Sequence, residues 1–425
     1  MSNWQYVALS DIADIRISNV DKKSLPGEKS VLLCNYMDVY SNEYITRNLD
    51  FMEATANVVE IEKFKVQDGD VIITKDSETP YDIGIPSVVV EAMDNLVCGY
   101  HLALIKPNQA AVNSKFLSKQ LAQHETVRYF SRYAAGSTRY GLSNGAIASV
   151  RIGLPPLRHQ QKIARILQTI DLAIEKTEAL LGKYQQIKAG LMQDLFTRGI
   201  DADGKLRPSR EQAPELYQET PIGWIPKAWE VRNILDLIKF PTGQVSPLVQ
   251  PYIDMTLVAP DHIEKGTGRL LLKETAREQN AISGKYTFKC GDIVYSKIRP
   301  YLRKAILADF DGICSADMYP LHVKGGNNPF YIFGMILGDR FSRYAETVSM
   351  RSGFPKINRI EFSGFSCGVP TSHEQDRFAE VIKSADANIV HNEELLAKLQ
   401  KQKSGLMHDL LTGKVTVSTA TTEVS

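Results

Sequence analysis

The sequence is short of cysteine and has no long apolar run, no recognisable phosphate-binding loop and almost no net charge. Its five cysteines (Cys34, Cys98, Cys290, Cys314 and Cys367) are odd in number and widely spaced, and no CxxC pair occurs. That argues against a disulfide framework or a zinc ribbon and points to a reducing compartment. Cys98 and His101 stand three apart without a second pair, so Cys98 reads as a buried strand residue rather than a metal ligand. No apolar stretch approaches the ~18 residues of a membrane span. The opening residues lack the basic-then-apolar order of a signal peptide, so a cytoplasmic protein is expected.

Catalytic signatures are missing as well. Gly27-Glu28-Lys29-Ser30 has neither the upstream glycine nor the strand of a phosphate loop, and no GxGxxG follows a strand. HExxH, GxSxG and clustered His/Cys sets do not occur. Asn327-Asn328-Pro329-Phe330-Tyr331 shares part of the Asn-Pro-Pro-aromatic motif of adenine methyltransferases. It lacks the second proline and a glycine-rich loop upstream, and reads as the turn that starts a helix. No catalytic residue, no metal site and no cofactor held by this chain are expected.

A balance of 50 Lys+Arg against 49 Asp+Glu excludes a uniformly basic nucleic-acid binder. The charge is segregated, however. Residues 50–94 carry eleven acidic and three basic side chains, 128–165 carry seven basic and no acidic ones, and 269–304 carry nine basic against three acidic. Arg340, Arg343, Arg351, Lys356 and Arg359 extend the last group. A single charge cluster is commonly a solvated face. Clusters recurring at equivalent places in two repeats, mixed with tyrosine and serine, suit phosphates and base edges.

The repeat is the strongest feature. Residues 155–197 align without gaps on 370–412, and 17 of the 43 positions are identical. Upstream, Trp4, Leu9 and Asp11 match Trp229, Ile234 and Asp236. Asp68-Gly69-Asp70-Val71-Ile72 to Lys75 matches Cys290-Gly291-Asp292-Ile293-Val294 to Lys297. The chain is therefore one unit written twice, a variable front followed by a well-matched tail.

The tails carry a heptad seam. In the first copy it runs through Ile163, Leu167, Ile170, Ile174, Leu181, Leu191 and Leu195, with Thr177 and Lys188 in the gaps. In the second it runs through Phe378, Ile382, Ile389, Asn392, Leu396, Leu406 and Leu410. Alternating spacings of four and three predict helices of ~40 residues, ~60 Å long, able to pair with each other. Thr177 and Asn392 are expected to help fix that pairing. The fronts read as mixed α/β, with strands near 31–33, 71–74, 87–90, 102–105 and 293–296 and helices over 116–133 and 330–348. Gly and Pro punctuation marks 200–222 as a linker.

Together these features resemble the specificity subunit of a type I restriction–modification enzyme, over nearly the whole chain. Thr220-Pro221-Ile222-Gly223-Trp224-Ile225-Pro226 is similar to the family's lead into a recognition domain. Gly291-Asp292-Ile293-Val294-Tyr295-Ser296-Lys297 followed by Pro300 resembles its strand-and-loop signature. Pro370 with Glu374-Gln375, and Gly405-Leu406-Met407 with Leu410-Leu411-Thr412-Gly413, resemble its helix ends. His159 departs from the pattern, standing where the family has Glu before Gln160.

The resemblance implies an α/β (α+β) fold. Two mixed α/β target-recognition domains, 1–154 and 223–369, would be joined by two long, antiparallel, coiled-coil-like helices, 155–199 and 370–414, in a pseudo-two-fold arrangement. Residues 200–222 would be the linker and 415–425 a flexible tail. Each domain would read one half of an asymmetric bipartite site in double-stranded DNA. The helices would set the spacer and dock two methyltransferase subunits, through which motor/nuclease subunits join. S-adenosylmethionine, ATP and magnesium would sit on those partners. The residues expected at DNA are Lys75, Tyr81, Ser137, Arg139 and Tyr140 in the first domain, and Lys297, Arg299, Tyr301, Arg351, Ser352 and Lys356 in the second. Two other readings fit part of the pattern: a specificity subunit of a different methyltransferase–nuclease system, and a coiled-coil scaffold that binds only proteins. Equivalent Arg/Lys/Tyr sets in both fronts speak against the scaffold.

Overall fold

The computed structural model describes residues 4–350 and 354–418. The chain divides into two units, Met1–Glu178 with Glu394–Ser425, and Ala179–Glu393. Each front therefore folds with the beginning of one long helix and the end of the other, and neither sequence repeat makes a unit alone.

The first unit is built on a five-stranded sheet in the order Ala13–Ile17, Leu102–Pro107, Val71–Thr74, Pro86–Val89, Tyr44–Ile45. Neighbours are antiparallel except the last pair. The second unit repeats the first four places with Ile238–Lys239, Met318–Val323, Ile293–Ser296 and Ala305–Leu307. A parallel pair recurs beside each sheet, Lys29–Cys34 with Leu96–Cys98 and Leu257–Val258 with Gly312–Cys314. The third strand of these small sheets differs: Met52–Ala56 joins Lys29–Cys34, whereas Tyr286–Phe288 joins Gly312–Cys314. The strands shared by the two units thus carry one topology, and the remaining stretches add to it differently. Cys98 lies fully buried on its strand.

Two stretches expected as single helices are each broken in two. Residues 116–133 fall into Ser114–Leu121 and His124–Tyr133, and 330–348 into Pro329–Leu337 and Asp339–Ser349. The breaks come at Gln123 and Gly338, which take extended conformations and cap the following helix. Apolar periodicity runs through such a kink and cannot show it. Asn328 caps Pro329–Leu337 by accepting from the Phe330 and Tyr331 N–H groups, as expected of a helix-start turn.

The tails form helices Leu157–Arg198 and Ser372–Leu411. Every seam residue faces inward. Ile163, Leu167, Ile170, Leu195, Ile382, Ile389, Asn392 and Leu410 are buried, and Ile174, Leu181, Leu191, Leu396 and Leu406 are half-buried. Within each unit the helix segments run antiparallel. Lys188 meets Asp386 at 2.5 Å while Phe196 stacks near Phe378 in the second unit. Lys403 meets Asp171 at 2.8 Å while Leu410 joins the same core as Ile163 in the first. The two ion pairs are repeat-equivalent, because Asp171 aligns with Asp386 and Lys188 with Lys403. Thr177 and Asn392 spend their hydrogen bonds within their own helices, on the Ala173 and Asn388 carbonyls.

The first turn of each helix is stitched to its front by one glutamine. Gln160 Oε1 accepts from the Asn113 N–H at 2.8 Å, and Gln375 Oε1 accepts from the Asn328 N–H at 2.8 Å. Their amide nitrogens return to the Pro155 and Pro370 carbonyls. Glu374, one residue earlier, binds Arg207 at 2.5 and 2.9 Å and accepts from Ile200 and Trp229. The 200–222 stretch is consequently packed into the second unit, with Ile200 and Tyr217 buried and Tyr217–Thr220 paired to Gly223–Pro226. His159 replaces this glutamate in the first copy, and its buried Nδ1 has no hydrogen-bond partner among the described residues. Of 415–425, residues through Ser418 are described, and Val417 packs on the first core.

Asp171 anchors the first unit. Its carboxylate accepts from Lys119 and Tyr44 at 2.6 Å each and pairs with Lys403, while Glu43 bridges both lysines. Burial pushes the Asp171 carboxyl up, but Lys119, then Lys403 and Tyr44, outweigh it and hold it below the ordinary carboxylate range. Removing one partner of a buried network leaves charge unpaired, so Asp171→Ala is expected to lower stability by about 3–5 kcal/mol in chemical denaturation. A loss under about 1 kcal/mol would contradict this. A carboxyl held low stabilises the fold above its unfolded value near ~3.9 and loses that contribution as pH falls through the folded value. Asp171→Asn should therefore flatten the acid limb of the stability profile below about pH 4.

Candidate nucleic-acid interface

One backbone construction recurs in both units where the predicted contact residues lie. It begins at a tight turn with glycine at positive φ, Gly69 (86°) and Gly291 (89°). Asp70 and Asp292 close that turn by accepting from the Gln67 and Lys289 N–H groups at 2.8 Å. The buried strands Val71–Thr74 and Ile293–Ser296 follow, and each ends at a lysine. The Lys75 N–H donates to the His101 carbonyl at 2.8 Å, and the Lys297 N–H to the Asp317 carbonyl at 3.0 Å. On the other side, the Lys75 carbonyl accepts from Leu142 and the Lys297 carbonyl from Ile357, both at 2.9 Å.

Two loops far apart in sequence are thereby zipped together. Asp76–Ser77 pairs with Tyr140–Gly141 in the first unit. Ile298 bridges to Lys356 in the second. Lys75, Tyr140, Ser137 and Arg139 come to one region, as do Lys297, Arg299 and Lys356. Each second loop then enters a short helix through a side-chain cap, Ser143 on Asn144–Ala148 and Asn358 on Arg359–Ser363.

The side chains on these matching backbones differ in charge. In the first unit Lys75 is spent on Asp76, Nζ to Oδ1 2.8 Å, and His101 meets the other oxygen at 2.6 Å. Burial pushes the Asp76 carboxyl up, and the bonds from Lys75 and His101 bring it below its usual value. Tyr36 and Tyr40 stack nearby, and Tyr40 donates to Asp82 at 2.8 Å. Ser137 and Arg139 are exposed, Tyr140 is half-buried, and Tyr81 is 79% exposed. This face offers acceptors and aromatic rings more than free cations.

The second unit is cationic. Lys297 is buried, with its ammonium 5.3 Å from the centre of the Tyr319 ring. Burial lowers its pKa, and the like charge of Lys356 lowers it further, with a smaller push from Arg359. Arg299 and Lys356 are exposed, and Tyr301 is 47% exposed. Such mutually repelling cations, with Arg359 set over Phe240 and Tyr319, make a ready anion site. Arg351 and Ser352 lie outside the described residues.

Several residues here were not selected from sequence. Asp76 sits beside Lys75 and was visible as an acid, but its pairing with both Lys75 and His101 is tertiary. Phe354 is 57% exposed beneath the Arg299 guanidinium. His101 and Arg299 hold positive φ (70° and 47°), which no composition rule announces for such side chains. Among the described residues, no group of three His, Cys, Asp or Glu is placed to hold a metal ion, and no helix is long and apolar enough to cross a membrane.

Comparison with known proteins converges on one family. The sequence model of the type I restriction modification DNA specificity domain matches residues 1–186. The chain is 28% identical over 305 residues to the EcoDI type I restriction enzyme specificity subunit of Escherichia coli, covering 68% of each. It is 24% identical over 284 residues to the MjaVIII specificity subunit of Methanocaldococcus jannaschii, covering 63% of each. In fold it is similar to the crystal structure of a type I restriction–modification S subunit from M. genitalium, with a TM-score of 0.58, 13% identity and 96% of each chain covered. A duplicated α/β unit completed by two long helices is thus similar in sequence to the specificity subunits of type I restriction–modification systems, its first 186 residues match their DNA specificity domain, and its fold is that of a solved S subunit.

Proposed function

We propose that this chain is the non-catalytic DNA-reading subunit of a type I restriction–modification enzyme, in which each front reads one half of an asymmetric bipartite site. The observation that carries the proposal is the recurrence of one loop-zipping construction in both units with different side chains on it. Equivalent backbones suit two equivalent positions along a duplex, and different side chains suit two different half-sites.

In this reading the long helices act as a spacer, and their exposed faces dock two methyltransferase subunits. Those partners supply S-adenosylmethionine chemistry, and motor/nuclease subunits joined through them use ATP and magnesium. Lys356 and Arg359 hold phosphates and set position on the duplex. Arg299, Tyr301 and the Tyr36–Tyr40–Tyr81 group face base edges. The first unit, with Lys75 neutralised by Asp76, contributes less to phosphate anchoring than the second.

The spacer role is tested by removing one helical turn from both helices, residues 177–180 together with 392–395. Four residues shorten a helix by ~6 Å, close to two base-pair steps. The gap between half-sites found by methylome sequencing should contract while both half-sites persist, and an unchanged gap would contradict the role. The phosphate role of Lys356 is tested by Lys356→Ala. It should weaken binding evenly across sequences and reduce the slope of log affinity against log salt by about one. An unchanged slope removes Lys356 from the phosphate contacts.

A further inference from the structure

Resting on the reading of the second front as a DNA reader, we propose that Arg299 reads a guanine in the major groove. Phe354 is the platform that positions its guanidinium. The half-site taken by the second unit then contains a G·C pair at the position Arg299 faces.

Arg299 is one of four non-glycine residues with positive φ among those described, at φ 47° and ψ 61°. It also precedes Pro300, a position where even the right-handed helical region is disfavoured. The surroundings enforce this geometry. The Arg299 N–H donates to the Pro355 carbonyl at 2.8 Å, and its carbonyl accepts from Leu302 at 2.9 Å. Strain of this kind persists where the backbone must aim a side chain.

Arg303 is paired with Asp339, Arg269 with Glu393 and Arg207 with Glu374. Arg299 has no carboxylate partner among the described residues. Its guanidinium instead lies 4.8 Å from the centre of the exposed Phe354 ring. An aromatic face attracts the cation without using its N–H groups, so the donor fork stays free and pre-organised. A free Arg fork matches the O6 and N7 acceptors of guanine, and no other base offers two acceptors on that edge.

Lys356 and Arg359 lie on the same zipped loops and can take the neighbouring phosphates, leaving Arg299 to the groove. By the repeat alignment its counterpart in the first unit is Ser77, next to Asp76, which has no such fork. The two half-sites are therefore read with different chemistry at this position.

The test assembles the full chain with its methyltransferase partner and presents double-stranded DNA with both half-sites randomised. Bound fractions are sequenced for the parent, Arg299→Gly, Arg299→Lys and Phe354→Ala. Glycine adopts φ 47° without strain, so Arg299→Gly removes the fork without disturbing the fold. The parent should prefer G at one position of the second half-site by about 10- to 100-fold. Arg299→Gly should abolish that preference and leave every other position unchanged. Arg299→Lys should weaken it, since lysine offers a point charge in place of a fork. Phe354→Ala should weaken it without changing the preferred base.

A parental G preference retained by Arg299→Gly would overturn the proposal. So would an even loss of affinity over all sequences with a shallower salt dependence, which marks a phosphate contact. Either result leaves a bipartite consensus in place, so DNA reading stands and only the role of Arg299 fails. A parent that enriches no bipartite sequence would instead overturn the DNA reading itself.

Discussion

The architecture depends on lysine–aspartate pairs made between the two long helices. Lys403 with Asp171 closes the first unit, and Lys188 with Asp386 closes the second. In the first unit the pair is built into a network with Lys119, Glu43 and Tyr44, which belong to the front rather than to either helix. Charges this deeply buried are tolerated only when each has its partner. The front, the start of one helix and the end of the other must accordingly assemble together. The second unit ties its front to the second long helix with a more exposed pair, Arg269 on Glu393. Each long helix thus gives its beginning to one unit and its end to the other.

On that frame each front holds a fixed scaffold and a variable surface. The glycine turn, the buried strand and the lysine pinned by hydrogen bonds from both sides recur in both units. What the second loop brings to the zipped strand does not recur. In the first unit the lysine is neutralised by Asp76, and the face presents carboxylates, an imidazole and tyrosines. In the second, Lys297 is pressed by Lys356, and the face presents free cations over aromatic rings. The near-zero net charge of the sequence is therefore a sum of two unlike surfaces. Under the proposed function, two unlike surfaces on equivalent backbones would read an asymmetric target.

Much of this was legible in the sequence because duplication makes equivalent positions visible. The heptad seam from Ile163 to Leu195 and from Ile382 to Leu410 all faces inward, because periodicity reports burial directly. The zipping of 75–77 to 140–142 and of 297–299 to 355–357 was not legible. Both partners had been singled out in each front, but their pairing is a long-range contact. Thr177 and Asn392 were expected to fix the pairing of the helices, yet each satisfies its own helix, since a mid-helix polar side chain can reach its own i−4 carbonyl. Lys297 reads as a DNA contact in the sequence, and the structure buries it. It is the last residue before the chain leaves a strand buried on both faces, and the sequence does not show where that burial stops. Breaks at Gln123 and Gly338 were hidden by apolar spacing that continues across them.

The central claim is that two unlike readers share one chain. Methylome sequencing of cells carrying this chain and its methyltransferase partner tests it most directly. The account predicts one methylated motif made of two different half-sites separated by a fixed run of unread base pairs. A continuous or palindromic motif, or methylation without sequence preference, would contradict it.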